Sequence, residues 1–190
     1  MSWHNRPGSA LAVLFALIAC APAAAAQQVV GPEKTAEFLL RALGYDRALP
    51  GRTGATVEIV LLYAEDESSV AELQAAFEAA GAGGVQGKPV SITPVRFESV
   101  APLLDLVRSR KVAAVYIGAD LATALSSIQQ VTRASKVASM TGEPRLVEQG
   151  VSLGVIDDGG QPRITVNLRS SRVEGLQLSA DLLGISKVIR

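Results

Sequence analysis

The chain has 190 residues, 48% of them hydrophobic and 19% charged, which is enough apolar material for one well-packed domain. Its 18 Lys and Arg balance 18 Asp and Glu, so the net charge gives no indication of binding to nucleic acid or to an anionic membrane surface. A single Cys and a single His leave little room for disulfide, thiol or imidazole chemistry.

Residues 1–26 have the pattern of an export signal. The cation Arg6 precedes an apolar run over residues 10–20, and Pro22 and four alanines follow it. The run is too short to span a bilayer, so the pattern predicts a signal peptide that is cleaved after Ala26. The segment "LIAC" leaves open an alternative, a lipoprotein acylated at Cys20. Either route predicts a periplasmic location for a single domain over residues 27–190.

Cleavage after Ala26 would also limit the available chemistry. Trp3, His4 and Cys20 are the only residues of their types, and all three would leave with the signal. The remaining chain would have no disulfide, no thiol nucleophile and no imidazole base or metal ligand. We therefore expect no metal and no cofactor.

The first half of the domain alternates between helical and strand patterns. Residues 33–49 have apolar positions spaced for one helical face, and residues 56–64 form an apolar run typical of a strand covered on both faces. Residues 65–84 predict a helix that starts near Ser69, which has capping-box spacing to Glu72, and ends at glycines. Residues 88–97 predict an edge strand, because Pro94 cannot donate to a central ladder.

The alternation continues to about residue 149. Helices are predicted over residues 99–110 and 120–134, strands over 111–118 and 136–142, and a short helix over 143–149. Two strands, 150–156 and 162–168, then flank "DDGGQ", which is typical of a hairpin turn. In the second strand Ile164, Val166 and Leu168 alternate with Arg163, Thr165 and Asn167, which predicts one solvent-facing side. Residues 179–190 predict a terminal helix capped by Ser179.

This order of elements predicts the fold class. Strand–helix alternation favours a single three-layer α/β domain, with a mostly parallel sheet and helices on both faces. The C-terminal antiparallel hairpin and terminal helix would complete it at one edge.

No catalytic set stands out in the sequence. Glu65 and Asp66 follow a strand and precede a helix, the position where doubly wound sheets bind ligands, so they are candidate ligand-binding residues. Acidic residues in the first turn of a helix also interact favourably with its dipole, which is the alternative interpretation. Asp157 and Asp158 fit a solvated hairpin tip better than an acid–base pair. Serine pairs have no His to activate them, so we expect no enzyme.

The stretch "GVSLGVIDDGGQPRITVNLRSSRVEGLQLSADLLGISKVIR", residues 150–190, resembles the C-terminal signature of the YfiR/HmsC-like family of exported bacterial proteins. The matching positions are Asn167, Leu168, Gly175, Leu176, Ser179, Leu182, Leu183 and Val188. Residues 36–49 resemble the family's opening helix, with Leu49-Pro50 where Trp-Pro is usual, and residues 98–118 fit its middle part.

The resemblance implies a regulator. Family members of this kind bind the periplasmic part of an inner-membrane diguanylate cyclase and restrain cyclic-di-GMP production and biofilm formation. Here the partner would be such a cyclase or a sensor kinase, and a homodimer stays open. The family's usual disulfide cysteines are missing from residues 27–190, so redox control is not carried over.

The polar segment after the last predicted strand is the candidate partner-binding surface. It contains Arg169, Ser170, Arg172 and Glu174 and fits either a contact surface or a solvated bend. The edge strand could also recruit a partner by strand addition. Two other functions remain as alternatives: a periplasmic small-molecule (solute) binding module, and an exported hydrolase that uses carboxylates such as Asp66 and Asp157.

Overall fold

A computed structural model describes Met1 and residues 30–65 and 67–190. The predicted signal segment, with its two alternatives of cleavage after Ala26 and acylation at Cys20, lies outside the described residues, and so does Asp66. Among the described residues, no helix combines the length and the apolar character needed to cross a membrane.

One mixed sheet organises the described residues. Its strands run in the order β2-β1-β3-β4-β5-β6-β7, and β1 to β5 are parallel. β5 and β6 form the predicted antiparallel hairpin, and β7 pairs parallel to β6. The strands are β1 (Val57–Tyr63), β2 (Val90–Arg96), β3 (Ala114–Ile117), β4 (Ala138–Thr141), β5 (Leu153–Asp157), β6 (Pro162–Asn167) and β7 (Lys187–Ile189). The predicted α/β architecture is confirmed, and Pro94 lies in an edge strand as expected.

Helices cover both faces of the sheet. They are α1 (Pro32–Gly44), α2 (Leu49–Arg52), α3 (Glu67–Gly81), α4 (Val100–Arg110), α5 (Leu125–Ser135), α6 (Pro144–Glu148), α7 (Leu168–Val173) and α8 (Ala180–Ile185), with a 3-10 helix over Ala119–Ala124 before α5. Side chains of α1, α3 and α8 pack with one face of the sheet, and those of α4, α5 and α6 with the other.

Strand β1 shows why its sequence is almost continuously apolar. Ile59 and Leu61 belong to the core under α1 and α3, whereas Val60 and Leu62 belong to the core under α4 and α5. All four side chains are essentially inaccessible to water. Successive residues of a strand point to opposite faces, so a strand between two helical layers needs apolar residues at every position.

The end of the chain differs from the prediction. Residues 179–190 do not form one helix, because α8 ends at Ile185 and Ser186 is already extended. The Ser186 hydroxyl donates to the Leu182 carbonyl and closes the last turn. Val188 then pairs with Val166 of β6. This strand satisfies backbone groups of β6 that would otherwise form an open edge, so β6 is not available for strand addition and the free edges are β2 and β7.

The side of strand β6 predicted to face solvent is exposed only at Arg163. Thr165 and Asn167, predicted to face water, are buried, and the Asn167 amide donates to the Val147 carbonyl at 3.0 Å. Helix α6 supplies this cover, because Val147 lies in it. The polar residues of this alternation therefore mark a largely covered face, where Asn167 is hydrogen-bonded and the Thr165 hydroxyl has no hydrogen-bond partner among the described residues.

The two ends of the domain are joined by a short backbone contact. Residues 45–47 meet residues 177–179, with Arg47 N–H donating to the Gln177 carbonyl and Ser179 N–H to the Tyr45 carbonyl. The buried Asp46 carboxylate accepts from the Gln177 N–H at 2.7 Å and forms an ion pair with Arg52. The predicted helix over residues 33–49 is interrupted by this contact, which separates α1 from α2.

Candidate functional site

The polar segment after β6 is a helix with two different faces. Asn167 caps α7, and its side-chain oxygen accepts from the Ser170 N–H at 3.0 Å. Arg169, Arg172 and Val173 are exposed, and their spacing of three and four residues puts them on one side of the helix. Ser170 and Ser171 are buried on the other side. The segment expected to be a bend is therefore a short helix. Its outer face carries two arginines and a valine, and its buried inner face carries two serines.

Glu174, directly after α7, is buried and holds three parts of the chain together. Its Oε1 accepts from the Thr132 hydroxyl at 2.7 Å, and its Oε2 accepts from the Ser139 N–H at 2.8 Å and the Ser139 hydroxyl at 3.0 Å. The Ser152 hydroxyl also donates to Oε2. Removal of the carboxylate from water raises the pKa of Glu174 above its usual 4.5, and the hydrogen bonds oppose this shift.

The four residues predicted to contact a partner therefore do not share one surface. Arg169 and Arg172 are exposed, which leaves partner binding by these two as a prediction. Ser170 and Glu174 are 5% and 0% exposed, so their assignment to a contact surface is corrected. Both lie on the inner side of the segment, where hydrogen bonds with buried partners compensate for their burial.

A second candidate site is a cleft of about 430 Å³ at the carboxyl ends of β1, β3 and β4. Because β1 and β3 are neighbours while their crossover helices pack on opposite faces, this is the kind of position where open parallel sheets bind ligands. The cleft is lined by Val30, Pro32, Thr35, Leu62, Tyr63, Ser69, Val70, Glu72, Leu73, Tyr116, Gly118, Ala119, Asp120, Gly142 and Glu143.

Backbone and side-chain contacts fix the walls of this cleft. The Asp120 carboxylate accepts from the Ala64 N–H at 2.6 Å, which ties the end of β1 to the segment after β3. The Tyr116 hydroxyl accepts from the Gly142 N–H at 3.1 Å, and a Cβ at position 142 would lie only 2.9 Å from that hydroxyl. Burial raises the pKa of Tyr116 to about 12. The ring packs edge-on against Phe77, with the ring centroids 5.8 Å apart.

Of the two predicted ligand residues, Glu65 is not among the described residues that line this cleft. Glu65 is exposed, and its backbone N–H points to Asp120 at 3.4 Å. Asp66 lies outside the described residues. Glu72, Asp120 and Glu143 supply the carboxylates of the lining instead. Ligand binding by Glu65 and Asp66 remains a prediction. The sequence pointed to the carboxyl end of β1, beside which this cleft lies, but gave no sign of the lining residues that follow β3 and β4, because the strand order is not visible in it.

The remaining acidic candidates lie at the hairpin tip. Asp157 Oδ1 accepts from the Gly160 N–H at 2.7 Å, and Asp158 forms an ion pair with Arg163 at 2.8 Å. These contacts are typical of a turn. Neither Asp157 nor Asp158 lines the cleft, so the two carboxylates do not form an acid–base pair there. Across residues 30–65 and 67–190, no group of three or more His, Cys, Asp or Glu side chains is arranged to hold a metal ion.

Comparison with known proteins identifies one family and finds solved structures of similar fold. A family model described as YfiR/HmsC-like matches residues 33–187. A search of curated proteins gave no match. Among solved structures, the chain is similar to the ABC domain in complex with L-Trp from Streptococcus pneumonia, with 17% identity, a TM-score of 0.60, and coverage of 82% of this chain and 60% of that one.

A conserved domain protein from Vibrio cholerae is similar to the same extent. The identity is 12%, the TM-score is 0.61, and the match covers 82% of this chain and 60% of that protein. The chain thus spans about 60% of the length of both solved structures. At these identities the likeness shows the fold alone, a mixed α/β domain.

Proposed function

The chain belongs to the YfiR/HmsC-like family, and from this membership we propose that it is a periplasmic, non-enzymatic regulator of an inner-membrane signalling protein. The partner would be a diguanylate cyclase or a sensor kinase, and the chain would dock on its periplasmic part. The observation that carries the proposal is the family match, which extends over almost all of the described domain.

We take the outer side of α7 as the docking surface, defined by Arg169, Arg172 and Val173. Val173 is 42% exposed and lies on the same helical side as these two exposed cations. Exposed apolar residues bordered by charges are typical of interaction sites. The complementary partner surface would combine an apolar contact with acidic residues, which would also guide the encounter.

Arg172→Glu tests this docking surface. The residue is exposed, so the change should leave the fold intact and replace attraction by repulsion. The measurement is co-purification of tagged protein with detergent-solubilised inner membranes, together with cellular cyclic-di-GMP. Arg108→Glu is the matched control, because Arg108 is an exposed arginine near the end of α4, outside the docking surface.

The expected result is recovery of a membrane signalling protein with the wild type and with Arg108→Glu, and its loss with Arg172→Glu. Recovery of no inner-membrane signalling protein by the wild type would refute the regulatory function. Equal recovery by both variants would refute the docking surface alone.

A second candidate function is binding of a small molecule in the cleft at the carboxyl ends of β1, β3 and β4. The cleft has the volume of a small-molecule site, and one solved structure of similar fold is a complex with L-Trp. L-tryptophan and a panel of free amino acids are therefore the first probes. Binding would raise the melting temperature, since a ligand stabilises the state that binds it.

Leu73→Trp would fill this cleft, because Leu73 lines it, and should abolish the rise. Leu104→Trp is the control, because Leu104 is equally a half-buried leucine but lies on the opposite face of the sheet. No thermal shift with any probe, or the same shift in Leu73→Trp, would remove this candidate.

A further inference from the structure

A second cavity lies at the opposite end of the sheet from the cleft. It has a volume of about 420 Å³ and is bounded by the end of α5, the turn after α6, helix α7 and the last residues of the chain. The residues that matter for its chemistry are Arg133, Glu148, Asn167, Arg169, Ser170 and Arg190. It has no lining residue in common with the cleft at the carboxyl ends of the strands.

The side chains that line this cavity carry a net positive charge. Arg133, Arg169 and Arg190 line it, with Glu148 as the acidic residue of the lining. Within residues 30–65 and 67–190, none of these three arginines forms an ion pair. Arginines that converge on a concave site without carboxylate partners are poised to bind an anion, since the guanidinium presents a fork of donors.

Arg133 is the most constrained of the three. One of its terminal nitrogens donates to the Gln129 side-chain oxygen at 3.1 Å, which fixes the guanidinium on α5. Its Nε is buried and has no hydrogen-bond partner among the described residues. Because the Nε is inaccessible, the terminal nitrogens of the guanidinium are the donors that an anion in the cavity would meet.

The turn after α6 keeps the cavity open. Gly150 has a φ of +105°, and a Cβ there would lie 3.2 Å from an Arg133 nitrogen and 3.4 Å from the Ser170 hydroxyl. Glycine is therefore required both for the backbone conformation and for the space beside these donors. The Thr132–Glu174 hydrogen bond holds α5 against the segment after α7, so the walls that carry Arg133 and Arg169 are fixed relative to each other.

We propose that this cavity binds a small organic anion through a carboxylate or phosphate group. Arg133 and Arg169 supply the charged donors, and the Ser170 hydroxyl lies beside them. The volume is in the range of small-molecule sites, and the concave shape favours a free ligand over the side of a helix or strand. The cavity shares Arg169 and Val173 with the docking surface, but anion binding requires neither docking nor the other cleft.

The experiment is a titration of the full chain with citrate, succinate and inorganic phosphate at constant ionic strength, set with sodium chloride. Amide chemical shifts and the melting temperature report binding. We expect saturable shifts at residues around Gly150 and Ser170, and about a tenfold weaker binding in Arg169→Gln, the usual effect of losing one charge-assisted hydrogen bond. The carboxylate and phosphate arms show which group the cavity prefers.

Arg108→Gln is the matched control and should bind like the wild type. Arg169 is exposed, so Arg169→Gln should fold, and its melting temperature in chloride alone verifies this. The proposal is overturned if none of the three anions gives a saturable effect beyond chloride, or if Arg169→Gln and Arg108→Gln bind equally. Because Arg172 is not part of the cavity lining, Arg172→Glu should retain anion binding whether or not docking is lost.

Discussion

The buried carboxylate of Glu174 gives the sharpest test of how the C-terminal segment is held. Glu174→Ala removes the acceptor of the Ser139 N–H and of the Thr132, Ser139 and Ser152 hydroxyls. The hydroxyls can rotate toward other acceptors, but the N–H cannot. One buried unsatisfied donor costs about 1–3 kcal/mol, and the lost hydrogen bonds and cavity add to this, so we expect about 2–4 kcal/mol of destabilisation.

Glu174→Gln should cost much less at neutral pH. Its side-chain oxygen can take the place of Oε2 and accept from the Ser139 N–H, while its amide nitrogen donates to the Thr132 hydroxyl. That hydroxyl already contacts the Gln129 carbonyl at 3.3 Å and can donate to it instead. The glutamine thus fills the same space and satisfies the same backbone group without a buried charge.

The pH dependence of the difference between wild type and Glu174→Gln has a defined sign. The folded state raises the pKa of Glu174 above 4.5, so it binds the proton more tightly than the unfolded state does. The wild type therefore loses stability relative to Glu174→Gln as the pH rises from about 4.5 through the raised folded value, and the difference is constant above that value.

Urea unfolding from pH 4 to 8 measures the free energy of unfolding of all three proteins. In a thermal melt at pH 7, the melting temperature of Glu174→Ala should be about 4–16 °C below that of the wild type, from the usual size of this shift per kcal/mol. The reasoning fails if Glu174→Ala is as stable as Glu174→Gln, or if the wild type gains stability relative to Glu174→Gln as the pH rises.

Three further predictions concern the cleft and the contact between the ends of the domain. Gly142→Ala should lower the free energy of unfolding by about 1–3 kcal/mol, because its Cβ would press on the Tyr116 hydroxyl. Tyr116→Phe should relieve much of this clash in the double variant, and additive effects of the two substitutions in urea unfolding would contradict the clash. Between pH 10 and 12 the wild type should lose about 1.4 kcal/mol per pH unit relative to Tyr116→Phe, because only the unfolded state ionises there; parallel stability curves would contradict the raised pKa. Asp46→Ala should destabilise by about 3–5 kcal/mol because it removes the acceptor of the Ala48 and Gln177 N–H groups and the carboxylate that pairs with the partly buried Arg52. An unchanged midpoint in urea would show that the contact is dispensable.

Hydrophobic patterning predicted most of the fold because the central strands are covered on both sides. The alternation of strands and helices was predicted from the apolar runs of β1 and β3 and from the apolar stripes of the helices between strands. The hairpin was predicted from "DDGG". Patterning failed at β7, where three residues after Ser186 continue a helical spacing by chance. Residues 187–189 form a strand because Val188 pairs with Val166. This contact joins distant parts of the chain, so the local sequence gives no sign of it.

The site was harder to predict because its decisive residues are polar and buried. In α7 the inner face carries Ser170 and Ser171, so no apolar stripe marks it as a helix. Glu174 resembles any surface acid in the sequence, and only the converging hydroxyls of Thr132 and Ser152 show that it is inside. Partners that come from distant segments leave no local signal.

The contact between residues 45–47 and 177–179 has a consequence for the kinetics of folding. The Gln177–Asp46 hydrogen bond closes a loop of 131 residues, and contacts of such sequence separation form slowly because loop closure costs entropy. During synthesis, α1 is made long before residues 177–179, which contact the segment that follows it. The nascent chain therefore lacks this contact until its last segment is made, and until then holdase chaperones and proteases can bind it.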